Sequence, residues 1–434
     1  MRQTIRLPII ALCILLVQEA RAQSWVNIAT NGTPPAARLN ASAILDPVDR
    51  RMVIFGGFST DYLNDIWALD LDTNTWTNLT PGSGPAPAPR LTPASVYDPD
   101  GHRMVMWSGR GPGVFFNDVW AFDLTTNTWS QFTPAGGPPQ IRYGVGYTWD
   151  PLAKDLVTFA GFTNLGRFDD VWRFHPAAST WTDVSPGSGP LARCLHAACY
   201  DAHKHRMIMY AGQNNSGPLD DIWALDLDSG TWTDLTPAEK PSARYFSPVV
   251  YDAVNNRVAM FGGQGLLGYN NQAWVFDLWT NQWTQLSPSG TPPSLRGGSC
   301  AVYDAGHDRM VIFGGNDGTV QNDVWALEDL SQTSTPVRGP FSNTLVLQPN
   351  YPNPFNPTTT IEYVLPVRGH AHLRVYAASG ALVRTLVNDV RPEGASHITW
   401  DGRDDTGVPV ASGVYLLRMD AGGETRSHKM ILLK

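Results

Sequence analysis

The chain is poor in lysine, glutamate and cysteine. Of its 434 residues, 5 are Lys, 6 are Glu and 4 are Cys. Scarce Lys and Glu, set against 40 Gly and 34 Pro, exclude a helix-rich protein. They predict an all-β fold with many short turns. Apart from Cys13 in the N-terminal apolar segment, only Cys194, Cys199 and Cys300 are left. Three is odd, which excludes a complete disulfide framework, so buried free thiols are expected. Long apolar runs are also missing. The run Ile9–Val17 falls far short of the ~20 residues a membrane-spanning helix needs. With Arg2 and Arg6 before it and Ala20-Arg21-Ala22 after it, it reads as a secretory signal over residues 1–22, cleaved before Gln23. No membrane span is expected elsewhere. A basic surplus is absent too. Residues 23–330 hold 18 Lys and Arg against 30 acids, 28 of them Asp. That balance excludes nucleic acid as the natural partner. Most of the Asp fall at turn positions, where the side chain caps its own backbone.

What the chain has is tryptophan, 16 in all, and it recurs. A first series, Trp67, Trp120, Trp172, Trp223, Trp274 and Trp325, lies two residues after Asp65, Asp118, Asp170, Asp221, Gln272 and Asp323. A second series, Trp76, Trp129, Trp181, Trp232 and Trp283, follows nine residues on. The sixth unit has Ser334 there, and its missing Trp stands at the other end of the chain, as Trp25, 51 residues before Trp76. Each unit of 51–53 residues opens with Pro and, three on, an arginine: Arg38, Arg90, Arg142, Arg193, Arg244 or Arg296. A strand, an Asp turn, a second strand and a small-Gly pair such as Gly56-Gly57 follow. Two Trp-bearing strands complete an antiparallel four-strand meander. Alternation puts Trp67, Leu69 and Leu71 on one face. A turn centred on Thr73-Asn74 would set Trp76 opposite Leu71 and add it to that face. One such sheet cannot bury both faces, but six packed radially can.

The small-Gly pair, the two Trp and the Pro-x-x-Arg opening resemble the kelch repeat. The resemblance implies an all-β, six-bladed kelch-type β-propeller over residues 23–330. The N-terminal strand around Trp25 would close the ring by supplying the last blade's fourth strand. Each arginine precedes an inner strand, so the six converge on one rim of the central funnel. Arginines at this place line the rim in kelch modules that capture acidic peptides, which makes them candidates for a carboxylate or sulfate ligand. The competing reading pairs each with a repeat Asp. Only five Asp serve six Arg, because Gln272 breaks the series. The loops after the glycine pairs vary most. Tyr62, Arg110, Phe115, Arg167, Phe168 and Tyr269 add candidates for glycan or peptide contact there.

Beyond a polar linker at residues 331–344, the Trp repeat stops. Short alternating strands over residues 345–434 suit a small Ig-like β-sandwich. Tyr351-Pro352-Asn353-Pro354-Phe355-Asn356-Pro357, Trp400-Asp401-Gly402-Arg403-Asp404 and Ala411-Ser412-Gly413-Val414-Tyr415 resemble the C-terminal Ig-like domain of exported bacterial proteins. That domain is related to the sandwich of the flagellar hook-capping protein, and its near relatives are type A sorting domains of type IX secretion. The resemblance implies secretion or cell-surface sorting, with the secretion machinery as a partner.

Catalytic signatures are absent. The chain has no Gly-x-Ser-x-Gly, no phosphate loop and no zinc-spaced Cys/His cluster. His102, His203, His205 and His307 fall in the turn between the first two strands, His203 and His205 are expected to be solvated there rather than to hold a metal, and only His196 falls on an inner strand. No catalytic residue, cofactor or metal is expected. The expected function is non-enzymatic binding of a glycan or protein. The alternatives are a sugar epimerase on a kelch propeller and a structural surface protein.

Overall fold

A computed structural model describes residues 22–330, 345–348, 350, 353–366, 369–391 and 394–433. Nearly all of the expected signal and the whole linker lie outside the described residues. Among the described residues, all regular structure is strand. No helix there is long and apolar enough to cross a membrane.

Residues 22–330 form six four-stranded antiparallel sheets, the blades. Blade one runs Ser42–Asp46, Arg51–Phe58, Tyr62–Asp70 and Thr75–Asn78. Blade six combines Cys300–Asp304, Arg309–Phe313 and Val324–Glu328 with Ser24–Asn27 from the N-terminus. Trp25 pairs with Leu327 as Trp76 pairs with Leu69, so the closing strand sits in the register of a true fourth strand. The expected partner of Trp76, Leu71, is two residues off. The turn holds four residues, with Asn74 left-handed at φ 54° and the Asp70 carboxylate accepting from the Asp72 and Thr73 N–H groups. The shift of two preserves the face.

Each second Trp is a wedge between blades. It packs on the aromatic that precedes the previous blade's small-Gly pair: Phe55–Trp129, Trp107–Trp181, Phe159–Trp232, Tyr210–Trp283, Phe261–Trp25 and Phe313–Trp76, with ring centroids 4.8–5.1 Å apart. Trp25 thus fills the sixth junction. Burying one such side chain removes ~150–250 Å² from water.

The lower mouth is stitched by turns. The residue before each second strand is left-handed: Arg50, His102, Lys154, His205, Asn256 and Asp308, with φ between 43° and 61°. Four of these reach an acid of the preceding blade's turn: Arg50 to Asp304, His102 to Asp46, Lys154 to Asp100 and His205 to Asp150. In blade five, Tyr251 donates to Asp201 at 3.2 Å instead. His205 is therefore no solvated turn residue. It is buried between Asp150 and Asp228, each 2.9 Å away, while His203 meets the Tyr251 hydroxyl. Blade three rearranges the pattern. Asp155 replaces the arginine seen as Arg51 or Arg206, and Arg173 enters from the third strand to bind Asp150 at 2.7 Å and the next blade's Leu227 carbonyl at 2.7 Å. His175, the other departure there, donates from Nδ1 to the Asp155 carboxylate at 2.8 Å.

The C-terminal sheets are Val346–Leu347, Thr359–Leu365 and Gly394–Trp400, facing Leu382–Arg391, Gly369–Ala377, Gly413–Ala421 and Glu424–Leu432. Their core is their own, built on Ile361, Leu373, Leu417, Met430 and fully buried Trp400. Leu382–Arg391 was not apparent from the sequence because its apolar residues come in adjacent pairs and do not alternate, and only Val387 is fully buried. Cys194, Cys199 and Cys300 are free thiols.

Candidate functional site

The upper mouth is where the loops and the arginines meet. The backbone sets it first. In each pair of small residues the first is left-handed, glycine or not, as in Ser108 at φ 66° and Ala160 at φ 62°. Each second glycine donates its N–H to the carbonyl of the next blade's arginine, as Gly57 does to Arg90 at 2.8 Å and Gly315 to Arg38 at 2.9 Å. A Cβ on Gly57 would come within 2.8 Å of the Leu39 carbonyl, so the site requires glycine.

The arginines do not line an open rim. All six are 0–2% exposed. In five blades Nη1 and Nη2 donate to the two oxygens of the repeat Asp, at 2.5–2.6 and 2.8–3.0 Å. Nε donates to the carbonyl two residues back, and Nη1 also to the carbonyl of the first small residue. The first-series Trp donates its indole N–H to the same Asp, at 2.7–2.8 Å in these five blades. Burial alone would raise the Asp65, Asp118 and Asp221 carboxyls, but their arginines hold them below the usual carboxylate range. The candidate ligand groups Arg38, Arg90, Arg142, Arg193 and Arg296 are thus corrected to blade staples, because each guanidinium is already matched by a carboxylate. Arg244, facing Gln272, is the exception.

Above the staples lies a second ring. The residue after each arginine exchanges backbone hydrogen bonds with the residue after each glycine pair, giving Leu39–Phe58, Leu91–Arg110, Tyr143–Phe162, Cys194–Gln213, Tyr245–Gln264 and Gly297–Asn316. The backbone is the same six times and the side chains differ every time. Phe115 stacks on Tyr143, with centroids 5.5 Å apart, and meets Phe162 edge-on. Arg110 lies over Tyr143 at 5.8 Å and Arg167 over Phe162 at 5.2 Å, while Arg167 also donates to Asn215. These residues form one contiguous surface across blades two to four. Phe168 is turned inward, covering Arg142 at 3.8 Å. Tyr62 packs edge-on to Phe58, and Tyr269 accepts from Asn316, so both stand apart from that surface. Tyr143, Phe162 and Tyr245 were not singled out from the sequence. Their signal was position, one residue beyond each recurring arginine or glycine pair. The hairpin tips add Leu165, Leu266 and Leu267, 84–105% exposed.

Below this mouth the channel holds a cavity of about 220 Å³ lined by Thr92, Tyr147, His196, Cys300 and no charged side chain. His196 is buried, with no side-chain hydrogen-bond partner at either ring nitrogen. Burial and the Arg193 charge push its pKa down to about 3, so the imidazole is neutral.

Six radial four-stranded blades, a strand-closed ring and Arg–Asp staples define a kelch-type propeller. The chain matches the KLHDC2/KLHL20/DRC7 Kelch-repeats domain over residues 11–189 and 184–338, and it belongs to the Kelch-repeat family. Residues 358–424 match the FlgD Ig-like domain. Among curated relatives, acyl-CoA-binding domain-containing protein 5 of Arabidopsis thaliana is 27% identical over 71% of this chain and 49% of its own length. Kelch domain-containing protein 3 of Homo sapiens is 28% identical over 52% of this chain and 62% of its own. The dynein alpha chain of the Chlamydomonas reinhardtii flagellar outer arm is 25% identical over 78% of this chain and 8% of its own. The chain spans less than two thirds of each of these relatives.

Proposed function

We propose that the chain is a non-enzymatic binding protein whose upper loop face recognises a glycan or protein, and whose C-terminal domain directs secretion or surface attachment. The observation that carries this reading is the upper ring of paired positions. Backbone bonds fix its geometry and leave its side chains free to differ, which is the arrangement of a recognition surface on a rigid scaffold. The surface of Arg110, Phe115, Tyr143, Phe162 and Arg167 offers ring faces and two cations, suited to sugar rings or to an aromatic or acidic peptide. A glycan and peptide array probed with the full chain tests this. Binding lost in Phe115→Ala and Arg110→Ala supports it, and an array with no signal favours a structural role. For the C-terminal domain, a reporter fused to residues 345–434 is expected outside cells only in a type IX-competent host. Equal export without that machinery removes the sorting claim.

One observation favours a second reading. A neutral imidazole lining a channel cavity offers a sugar hydroxyl one hydrogen-bond donor and one acceptor. Turnover of a sugar by the chain, abolished in His196→Gln, would replace the binding-only reading with the epimerase-like one.

A further inference from the structure

Blade five departs from the others where their staple should be. Gln272 stands in place of Asp, and Arg244, 1% exposed, forms no ion pair among the described residues. Its hydrogens are nevertheless placed. Nε donates to Ser242 O at 2.8 Å and Nη1 to Gly262 O at 3.0 Å. Nη2 donates to Ser242 Oγ at 2.9 Å and Gln272 Oε1 at 3.1 Å. Neutral oxygens answer the geometry of a guanidinium but not its charge, and a buried charge without a counter-ion is costly.

Blade six is the internal control. Ser294 there matches Ser242, its carbonyl and hydroxyl oxygens accepting from Arg296 as those of Ser242 accept from Arg244, yet Asp323 supplies two charged oxygens. They take Arg296 at 2.6 and 3.0 Å and the Trp325 indole at 2.7 Å. In blade five, one neutral oxygen serves three donors at longer range: Arg244 at 3.1 Å, Asn270 Nδ2 at 3.3 Å and Trp274 Nε1 at 3.4 Å. The same junction carries another departure. Tyr210 replaces the Phe or Trp of the other wedges, and its buried hydroxyl has no hydrogen-bond partner. It lies within electrostatic reach of Arg244.

The place is reachable. The Asp side chains of the other blades are 23–27% exposed, and Gln272 is likewise half-buried, with Ser242 exposed beside it. A glutamine side chain is flexible and can swing out. We infer that blade five holds a subsite for a single carboxylate, brought by a ligand, which occupies the position that Asp fills in the other five blades. A planar two-oxygen acceptor fits the guanidinium fork with two parallel hydrogen bonds, and the Asn270 and Trp274 donors flank it. Burial lowers the pKa of the Arg244 guanidinium, and an arriving anion reverses that. The inference rests on the upper loop face being the binding face and names the chemistry of one point on it.

Acetate is the probe, with acetamide as its neutral twin and chloride holding ionic strength constant. Acetate is expected to shift the Trp274 indole N–H resonance of the full chain saturably and to raise its melting temperature, and acetamide to do neither. Gln272→Asp restores the repeat residue, so it folds and fills the site from within. Its acetate affinity should fall at least ~10-fold through like-charge repulsion. Equal responses to acetate and acetamide, or an unchanged response in Gln272→Asp, would overturn the subsite. N-acetylglycine and glucuronate then distinguish a peptide end from an acidic sugar as the source. An intact acetate response with an empty array removes the recognition reading alone, and the converse removes the subsite alone.

Discussion

At the lower mouth, six equivalent turn positions carry Arg50, His102, Lys154, His205, Asn256 and Asp308, five residue types in one left-handed conformation. At least four of those side chains are committed to the preceding blade. At the upper mouth, the residues after the six repeat arginines are Leu, Leu, Tyr, Cys, Tyr and Gly, and what they share is a backbone pairing, not a side-chain contact. Variation below is variation in how one structural task is done. Variation above has no structural task to answer to. A repeat is constrained where a side chain carries a recurring tie and free where the main chain carries it, so it is the upper variation that points to recognition.

Both rings presuppose a closed circle, and the largest effect comes from opening it. Deleting residues 23–45 removes the sixth outer strand and its Trp25 wedge, and no soluble folded chain is expected. A truncated protein melting cooperatively at an unchanged temperature would contradict this. Next comes a staple. Arg90→Ala leaves Asp118 half-buried and unpaired, which should cost about 3–5 kcal/mol, read from urea unfolding. A loss under 1 kcal/mol would mean that the upper ring is not built on these pairs. Below that stands the blade-three exchange. Arg173→Ala and Asp155→Arg should each destabilise, while the double variant recovers much of the loss, with a coupling of about 0.5–3 kcal/mol.

The lower ring should also respond to pH. Burial opposes protonation of His205, but hydrogen bonds to Asp150 and Asp228 raise its pKa above the ordinary value. A raised folded-state pKa gives stability that is complete below about 6.5 and is lost as pH rises through the folded value. The wild-type urea midpoint should therefore fall across that window, and His205→Gln should flatten it. The smallest effect on stability belongs to the upper surface. Arg110→Ala, exposed and unstapled, should stay within about 0.5 kcal/mol of wild type while weakening ligand capture. If it unfolds the chain, the two mouths are not different in kind.

The architecture was legible because period-two alternation and paired Trp recur in step, and because the offset from Trp25 to Trp76 equals one repeat. Arginine burial was harder to read. The sequence shows that Arg38 and Asp65 each recur, but the choice between rim and staple depends on a guanidinium passing beneath a loop to meet an Asp 27 residues away. His205 misled for a similar reason: turn residues are usually wet, and nothing local reveals the neighbouring blade's Asp150. Tyr143 and Phe162 were hidden because one-residue neighbours of a recurring position vary without any pattern of their own.

The closing strand pairs Ser24 with Glu328 and Asn27 with Trp325. The two chain ends of the propeller therefore leave from the same end of one antiparallel pair. Force applied through those ends would load the hydrogen bonds one after another, as in opening a zip, instead of all together in shear. The propeller is then stiff against any pull carried by its loops and compliant against a pull between its termini. A ligand held at the upper mouth hangs on six blades, whereas tension between the two ends meets the four residue pairs of the closing strand and the few bonds from Gln23 and Trp25 to Leu330 and Ser289.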